Sequence, residues 1–525
     1  MSLIVQAQNL SFRYEGQLEP LFQNVTIAFY KGDKVALLGH NGAGKTTLLS
    51  LLLGDLTPTE GEVIRTGRVV AVQQEDRLEH TGTVLEALLA GTPDLYALYS
   101  EIQSHEKKGL PDPLRYADAI NEFSERGGYD FLARLEAEVG ALGFADGVLE
   151  RSVAQLSGGE RRLLKLMSVF LTNADLLILD EPTNYLDEGA TQFLIDKVNA
   201  FSGACLLVSH DRWFLDQAVT KVLELEHRQI ETYSGNYTTF RSTKDALFRQ
   251  KVRQKEKLET EISKLQEIER TYKVWGARKE KEKSGAFDKG FIGARAAKLR
   301  KRAILAKERR QDRIEDLQEA KPWIDKEYAL SFEQASVPSG TCLVVQDVHY
   351  SYGATSVLAG KSLTLEWGER LALRGNNGSG KSTFIKLLLG ELEANKGEVL
   401  WSKGVKLGYL PQLWQSPNGA TPAELFSEDE QQDARTMLGV LRVKGDSFFQ
   451  PLESLSEGQK RKVGWVRLIL SRPNVLILDE PTTHLDYESV EMLEAALQDY
   501  AGTLILVSHD KYLRERVAER EFVLP

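Results

Sequence analysis

The 525-residue chain is 42% hydrophobic and 27% charged, with a formal net charge of −10 at pH 7. This length and composition indicate a globular protein with at least two hydrophobic cores. No run approaches 18 apolar residues and the first residues lack a secretion signal, so we expect a cytoplasmic protein without a membrane span. The two cysteines, Cys205 and Cys342, exclude a disulfide framework and agree with a reducing compartment.

The charge is unevenly distributed along the chain. Residues 241–330 carry 26 Lys and Arg against 16 Asp and Glu, which leaves about −20 for the remainder. Within residues 273–310 the count is 14 against 4. A small basic segment on an otherwise acidic protein is typical of a surface that binds a polyanion.

The first motif of the chain follows a predicted buried strand, Lys34–Gly39, and reads GHNGAGKTT. Its glycines allow backbone N–H groups to surround phosphate oxygens, while Lys45 reaches the β- and γ-phosphates and Thr46 ligates Mg²⁺. The next helix points its positive N-terminus at the same phosphates. A second copy, GNNGSGKST, occupies 375–383, so a chance match is negligible. The residues expected to bind nucleotide here are Gly39, Asn41, Gly42, Gly44, Lys45, Thr46 and Thr47, and then Gly375, Asn377, Gly378, Gly380, Lys381, Ser382 and Thr383.

The two copies differ in length after this loop. Gln74 and Gln412 are 338 positions apart, whereas Asp180 and Asp479 are 299 apart, so the first copy holds about 39 extra residues (338 − 299). We place the insertion at about 93–129, which reads as a polar helical pair broken by GLPDP. It is either a neutral surface excursion or a docking arm.

The next motif is LSGGE, which ends at Glu160, and its second copy is LSEGQ at 455–459. Ser157 and Glu160 have the spacing of a capping box, so Ser157 should begin a helix. That spacing alone indicates only a helix cap. Its pairing with the other motifs favours a phosphate contact from another repeat, made by Ser157, Gly158 and Gly159 in one copy and by Ser456 and Gly458 in the other.

Two apolar runs, LLILD and VLILD, each end in an acid, as strands of a parallel sheet covered on both faces do. Ligands of such sheets bind beyond the carboxyl ends of the strands. Asp180 and Asp479 are then placed to hold Mg²⁺, and Glu181 and Glu480 to polarise an attacking water.

A histidine ends the next buried strand of each copy, His210 in LLVSH and His509 in LILVSH. Such a residue is usually a satisfied core histidine, but a strand end that faces the same phosphates favours contact with the γ-phosphate. After His210 the segment VLELEHRQIETYSGNY predicts a β-hairpin.

The segment between the copies shows two helical patterns, at about 243–272 and 294–317. Their apolar residues at helical spacing are Leu258, Ile262 and Leu265 in the first and Leu299, Ile304, Ile314 and Leu317 in the second. Glycines from Gly276 to Gly293 predict a turn, and therefore an antiparallel helical hairpin with a basic tip. Charge runs are usually solvated spacers, but Trp275, Phe287 and Phe291 lie among the basic residues, which favours contact with RNA.

Together the two phosphate-binding loops, Gln74 and Gln412, LSGGE, LILDEPT and SHD resemble ATP-binding cassette domains over nearly the whole chain. Two cassettes on one chain, DEPTNYLD, SHDRWFLD, YSGNY and the charged linker resemble the ABC-F group. Its members are cytosolic ATPases that bind the ribosome at the tRNA exit region, and they include translation factors and antibiotic-resistance proteins. Their linker reaches toward the peptidyl-tRNA acceptor stem and the peptidyl transferase centre. Residues 288–303 are more similar to the resistance branch.

The resemblance implies an α/β fold with two P-loop NTPase ATP-binding cassette domains, at 1–240 and 337–525, joined by a helical-hairpin linker at 241–336. In a monomer, the cassettes would close face to face on two ATP molecules with Mg²⁺. The implied metal ligands are Thr46, Gln74 and Asp180 in one site and Ser382, Gln412 and Asp479 in the other. Across the interface, Lys45 would face Ser456 and Gly458, and Lys381 would face Ser157, Gly158 and Gly159. Tyr14 and Tyr352 would stack on adenine, and the implied catalytic residues are Glu181, Glu480, His210 and His509.

The chain departs from the family pattern at three positions. Tyr185 and Thr483 differ from the usual TNHLD, and Glu457 replaces a signature glycine. Because a carboxylate would repel the γ-phosphate, we expect Glu457 to point outward and the first site to hydrolyse ATP more slowly.

The expected partner is the ribosome, as tRNA or rRNA, bound through residues 273–310. One alternative is the ATP-binding subunit of an ABC transporter, which gives no reason for a basic linker tip. Another is a DNA-repair ATPase, for which a longer coiled coil is expected.

Overall fold

The computed structural model describes residues 2–524, apart from positions 18, 74–75, 108, 110–111, 145, 185, 283–308, 312, 315–316, 319–329, 333–337, 413, 415–418 and 444. The side chains of residues 269 and 272–282 also lie outside the described part. The predictions that fall there concern Gln74, Tyr185, Trp275, Phe287, Phe291, Leu299, Ile304 and the basic residues of the linker tip.

The chain divides into two compact units. One contains Met1–Tyr237 together with Ala329–Pro525, and the other is Thr238–Tyr328. The two predicted cassettes therefore belong to one unit. The domain boundaries at 240/241 and 336/337 stay predictions.

The first cassette combines an antiparallel sheet with a mostly parallel one. The antiparallel sheet has the order β2-β1-β4, from β1 (Leu3–Phe12), β2 (Phe22–Tyr30) and β4 (Glu60–Arg65). The second sheet has the order β5-β6-β7-β3-β8-β9, from β3 (Lys34–Gly39), β5 (Val69–Val72), β6 (Leu176–Asp180), β7 (Ala204–Val208), β8 (Lys221–Glu226) and β9 (Gln229–Ser234). Every residue of β3, β6 and β7 is buried, because these strands are covered on both faces. The predicted hairpin is confirmed as β8 and β9, which pair antiparallel.

The helices of the first cassette are α1 (Lys45–Leu53), α2 (Val84–Leu89), α3 (Pro93–Lys107), α4 (Pro113–Glu125), α5 (Gly128–Ala141), α6 (Gly158–Phe170), α7 (Glu188–Ala200) and α8 (Arg212–Ala218). The helical pair predicted in the insertion is present as α3 and α4, with Asp112 as the N-cap of α4. Ile102 on α3 packs with Ala119 and Phe123 on α4. The insertion thus has a small core of its own.

The described helix of the second unit is α9, which runs from Tyr237 to Glu282. It is longer than the predicted 243–272, and Gly276 lies within it instead of in the turn. One glycine in a helix costs only about 1 kcal/mol relative to alanine, and the neighbouring Ala, Arg, Lys and Glu residues are good helix formers. Ile262 of α9 packs with Ile314 and Leu317 on a second helical stretch, and the turn of the predicted hairpin lies outside the described residues.

The second cassette repeats the two-sheet arrangement. Its antiparallel sheet has the order β11-β10-β13, from β10 (Thr341–Tyr352), β11 (Thr355–Glu366) and β13 (Lys396–Trp401). Its parallel sheet has the order β14-β15-β16-β12-β17, from β12 (Arg370–Arg374), β14 (Leu407–Leu410), β15 (Val475–Asp479), β16 (Thr503–Val507) and β17 (Arg520–Val523). The helices are α10 (Lys381–Leu388), α11 (Gln431–Val440), α12 (Glu457–Leu470), α13 (Tyr487–Asp499) and α14 (Lys511–Val517). Both cassettes therefore place their strand-end acids at the carboxyl edge of a buried sheet.

The contact between the two linker helices can be tested at Ile262, which is 5% exposed. Ile262→Ala should weaken the helical pair by about 2 kcal/mol, near the lower limit for a buried isoleucine. Amide hydrogen exchange at residues 258–265 should then accelerate roughly 30-fold. Ile268→Ala on the same helix is the control, because Ile268 is 43% exposed and should change exchange little. Equal effects of the two substitutions would contradict the packing.

Candidate nucleotide-binding and hydrolysis sites

Each phosphate-binding loop ends in a glycine that begins a helix. Gly44, with φ of 104°, is the N-cap of α1, and Gly380, with φ of 91°, is the N-cap of α10. A Cβ at Gly44 would lie 2.7 Å from a Leu21 methyl carbon, so both conformation and space require glycine. Because glycine has no side chain, neither cap residue occupies the N–H groups of the first helical turn. The N–H groups of the loop and first turn are thus suited to phosphate oxygens.

The two loop lysines occupy equivalent positions. Lys45 Nζ donates to the carbonyls of Gly39 and His40 at 2.7 and 3.0 Å. Lys381 Nζ donates to the corresponding carbonyls of its loop at 2.6 and 3.0 Å. Burial lowers the pKa of Lys45, while the carboxylates of Glu181 and Asp180 act in the opposite direction. The lysine and the strand-end acids therefore share one site.

Of the predicted adenine contacts, Tyr14 follows the strand β1 and Tyr352 is the last residue of β10. Tyr14 and Tyr352 are 43% and 50% exposed. Tyr14 hydrogen-bonds through its hydroxyl to Thr47 Oγ1 at 2.8 Å, and its ring meets the edge of Phe12 with centroids 4.9 Å apart. An exposed aromatic ring beside the phosphate-binding loop has the position that stacking on a base requires.

The glutamate and histidine predicted to act in hydrolysis meet in both cassettes. Glu181 Oε1 lies 3.2 Å from His210 Nε2, and Glu480 Oε1 lies 3.5 Å from His509 Nε2. The backbone N–H of His509 also donates to Glu480 Oε2 at 3.0 Å. Neither Oε1 atom has a partner with hydrogen-bond geometry among the described residues. That oxygen is suited to accept a proton from an attacking water.

Burial sets the protonation of these groups. It raises the pKa of Glu181, and the adjacent Asp180 raises it further. It lowers the pKa of His210 to about 3, so the imidazole is uncharged at neutral pH. Burial and then Glu480 raise the pKa of Asp479 to about 6. A dication offsets this cost, and the hydroxyl and carboxylate oxygens of Thr46, Asp180, Ser382 and Asp479 are the hard ligands that Mg²⁺ prefers.

A buried arginine holds each acidic pair, and sequence reasoning missed both arginines. Arg162 Nη2 donates to the carbonyls of Asp180 and Glu181 at 3.3 and 2.7 Å. Arg461 Nη2 donates to the carbonyls of Asp479 and Glu480 at 2.8 and 2.5 Å. Arg461 Nη1 also donates to the carbonyl of Gln412 at 3.0 Å. The detectable signal was their spacing of 299 positions, which matches that of the acids.

The signature motifs begin helices, as predicted. Ser157 Oγ accepts from the N–H of Glu160 at 3.2 Å, and the Glu160 carboxylate accepts from the N–H of Ser157 at 2.7 Å. Ser456 forms the equivalent box with Gln459. Each serine oxygen accepts the capping bond, so its O–H can still donate to a phosphate. Glu457 points outward, as predicted, because its side chain is 58% exposed and accepts from Lys460 at 2.8 Å.

The structure brings the second loop opposite the first signature. A cavity of about 1050 Å³ is lined from both cassettes. Its lining includes Ser157, Gly159, Asn377, Gly378, Gln412 and Glu480. The backbone N–H of Asn377 also donates to Asp187 of the first cassette at 3.4 Å. This is the pairing that the sequence predicted for the site of Lys381.

The first loop meets the second cassette more closely. Asn41 Nδ2 donates to the carbonyl of His484 at 3.1 Å. A Cβ at Gly458 would lie 2.5 Å from that carbonyl oxygen and 2.8 Å from Asn41 Nδ2, so the signature glycine is required for this approach. Next to it, the ring of His40 lies 2.6 Å from a guanidinium nitrogen of Arg442 and 3.5 Å from Glu488 Oε2. Each loop therefore contacts the opposite cassette.

Comparison with known proteins agrees with this geometry. The family model described as "ABC transporter" matches residues 22–184 and 358–483. The putative ATP-binding protein YdiF of Bacillus subtilis is 34% identical over 99% of this chain and 79% of its own length. The ribosome protection protein VmlR of the same organism is 32% identical over 100% of this chain and 87% of its own. A crystal structure of the archaeal ribosome recycling factor aABCE1 with the stalk protein aP1 shares the fold, with a TM-score of 0.62, 19% identity and coverage of 98% of this chain and 87% of that chain.

Among the described residues, no helix is long and apolar enough to cross a membrane. The two matched segments coincide with the two sets of loop, signature and strand-end acids described above. The chain is thus an ATP hydrolase that belongs to the ATP-binding cassette family and, within it, to the ABC-F group with two cassettes on one polypeptide.

Proposed function

We propose that this ATPase binds the ribosome and uses ATP to switch its basic linker against tRNA or rRNA near the peptidyl transferase centre. The protein would act in the cytoplasm as a translation factor or as a ribosomal protection protein. The observation that carries the proposal is full-length similarity to VmlR, whose name describes ribosome protection. The alternative of a transporter subunit leaves the basic linker without a role.

The proposed switch is closure of the cassettes on two ATP molecules. Mg²⁺ bound with ATP would be held by Thr46 and Asp180 in the first site and would neutralise phosphate charge. In that site Glu181 would polarise the attacking water, and His210 would contact the γ-phosphate. Closure gains free energy only from contacts that the closed state makes and the open state lacks, such as the one between Asn41 and His484.

The start of α9 supports a mechanical link from the cassettes to the linker. Tyr237 is the first residue of α9 and follows the last strand of the first cassette. Its hydroxyl donates to Glu491 of the second cassette at 2.9 Å. A change in the spacing of the cassettes would therefore act on the first turn of the helix.

The exposed face of α9 supports contact with RNA. Arg249, Arg253 and Lys257 are exposed and follow one another at four-residue spacing, so their side chains lie on one face. A row of cations on one helix face is suited to a phosphate backbone.

The hydrolytic assignment predicts the behaviour of Glu181→Gln combined with Glu480→Gln. ATP binding should persist while turnover falls about 10²–10⁴-fold, because each site loses the base that activates water. The variant should remain closed on ribosomes, which co-sedimentation with ATP would measure, and should slow growth. The control is Glu62→Gln with Glu398→Gln, two exposed glutamates at equivalent strand positions. Undiminished hydrolysis in the first variant would refute the assignment.

The single variants test the predicted asymmetry. Glu480→Gln should lose more turnover than Glu181→Gln, because the site of Lys45 faces the signature that carries Glu457 and should hydrolyse more slowly. Steady-state ATPase of the two purified variants is the measurement. Equal losses would show that Glu457 is a tolerated substitution.

The linker tip is tested by replacing Lys298, Arg300, Lys301 and Arg302 with Gln. Each lost phosphate contact should reduce the salt dependence, since log affinity falls by about 0.7–0.9 per neutralised phosphate for each log unit of salt. ATP-dependent ribosome binding should weaken and its salt slope flatten, with ribosome-free ATPase nearly unchanged. The matched control replaces four exposed cassette lysines by Gln, namely Lys31, Lys386, Lys403 and Lys406. Unchanged binding at every salt concentration would make the linker a spacer.

The predicted turn, Phe287 to Ile292, separates the two biological roles. In a resistance protein, shortening this turn should abolish protection against a drug at the peptidyl transferase centre while ribosome binding survives. In a translation factor, only translation should change.

A further inference from the structure

A buried ion pair joins the two segments that carry His210 and His509. Arg212 lies two residues after His210, at the first position of α8. Its Nη2 lies 3.1 Å from Asp510 Oδ2, and Asp510 directly follows His509. Its Nη1 lies 2.6 Å from Glu494 Oε2 on α13. The first cassette thus inserts one cation between two acids of the second.

The three side chains of this ion pair are buried. The side chain of Arg212 is 2% exposed, and those of Asp510 and Glu494 are each 7% exposed. Burial alone would lower the pKa of Arg212, but the two carboxylates raise it above its ordinary value. A buried charge that loses its partner is strongly destabilised, so Arg212 and Asp510 resist separation, whereas Glu494 also pairs with Arg516 of its own cassette.

A second contact joins α8 to α14, the helix that Asp510 caps. The hydroxyl of Tyr512 on α14 donates to Asp216 on α8 at 2.6 Å. The guanidinium of Arg212 lies 5.7 Å from the centre of the Tyr512 ring. α8 and α14 are therefore joined by a hydrogen bond and a ring contact across the interface between the cassettes.

Among the described residues the ion pair is formed in one direction only, whereas the ring contact appears twice, because Lys511 over Trp213 is the counterpart of Arg212 over Tyr512. The spacing of 299 positions gives Lys511 as the counterpart of Arg212 and Ile195 as the counterpart of Glu494. Lys511 lies 5.2 Å from the Trp213 ring and 3.9 Å from Glu515 of its own helix, and Ile195 is a buried apolar residue. A contact that arose only from the two-fold repeat would appear twice.

We infer that Arg212 is a positioning residue that couples the two ATP sites by tying the His210 segment to the His509 segment. His210 contacts Glu181, and the N–H of His509 donates to Glu480. When either histidine moves onto a γ-phosphate, the ion pair carries that displacement to the other histidine and its glutamate. Coupling of this kind is reciprocal in binding free energy. The inference rests on the hydrolytic roles proposed above for Glu181 and Glu480, and it does not depend on the ribosome.

The test uses the additivity of single-site variants in ribosome-free ATPase. If the sites work independently, the turnovers of Glu181→Gln and Glu480→Gln add up to that of the parent. If the sites are coupled, the summed turnover of the two single variants should be at least about fivefold lower than the turnover of the parent, because fivefold is the lower end of typical coupling between sites. We call this shortfall the deficit. Adding Asp510→Asn should abolish the deficit, because it removes the charge and keeps the shape and the acceptor that caps α14. In the Asp510→Asn background, the summed turnover of the two single Glu→Gln variants should match the turnover of Asp510→Asn alone within about twofold.

Two further variants separate coupling from structure. Lys511→Met, at the counterpart position, should leave the deficit intact. Arg212→Lys keeps the positive charge but cannot contact Asp510 and Glu494 with two separate nitrogens, so it should reduce the deficit. If thermal unfolding shows that Asp510→Asn does not fold, the Arg212→Lys result decides the question. Additive turnovers in the parent, or a deficit that survives both Asp510→Asn and Arg212→Lys, would overturn the inference. Undiminished hydrolysis in the double Glu→Gln variant would instead mean that the hydrolytic assignment is wrong.

Discussion

Glu181 and Glu480, the two glutamates proposed to activate water, adopt a left-handed backbone conformation at the end of a buried parallel strand. The φ angles are 49° at Glu181 and 48° at Glu480, a region that non-glycine residues occupy at a cost of order 1–3 kcal/mol. The N–H groups of the two glutamates donate to the carbonyls of Val208 and Val507 at 2.7 and 2.8 Å. Arg162 and Arg461 bind the carbonyls on the other side of each turn. The same turn aims the carboxylate at the histidine, so the chemistry depends on keeping this conformation.

The two cassettes have similar folds, but the contacts that each makes with the other differ. On α7, Glu188 accepts from Arg374 and Arg514 at 2.7 and 3.2 Å. At the equivalent position on α13, Tyr487 instead donates to the buried Glu224 at 2.7 Å. Two copies of one cassette could not satisfy both arrangements, because Glu188 and the buried Glu224 each take a donor found only on the other cassette. These contacts favour pairing of the first cassette with the second over pairing of two like cassettes.

The sequence predicted the residues whose role is local. The G-x-x-x-x-G-K-T spacing defines the backbone of the loop, and the S-x-x-E spacing defines a capping box, so Lys45 and Ser157 could be placed from a few neighbours. Arg162 was missed because a charged residue early in a helix is usually solvated. The pairing of Arg212 with Asp510 was also missed, because it joins positions 298 residues apart with no shared motif. Gly276 misled the turn prediction because a single glycine costs less than its helix-forming neighbours contribute.

The helix α13 connects the elements on which the proposed switch depends. Its acids Glu488, Glu491 and Glu494 are three residues apart and therefore share one side of the helix. Glu488 lies 3.5 Å from His40 in the first phosphate-binding loop. Glu491 accepts from the tyrosine that begins α9, and Glu494 holds the arginine that follows His210.

The equivalent residues of the first cassette are Gly189, Gln192 and Ile195, which carry no charge. The second cassette therefore contacts the phosphate-binding loop, the first residue of α9 and the histidine segment through the single helix α13. In the proposed switch, a nucleotide that displaced α13 would act on all three contacts at once.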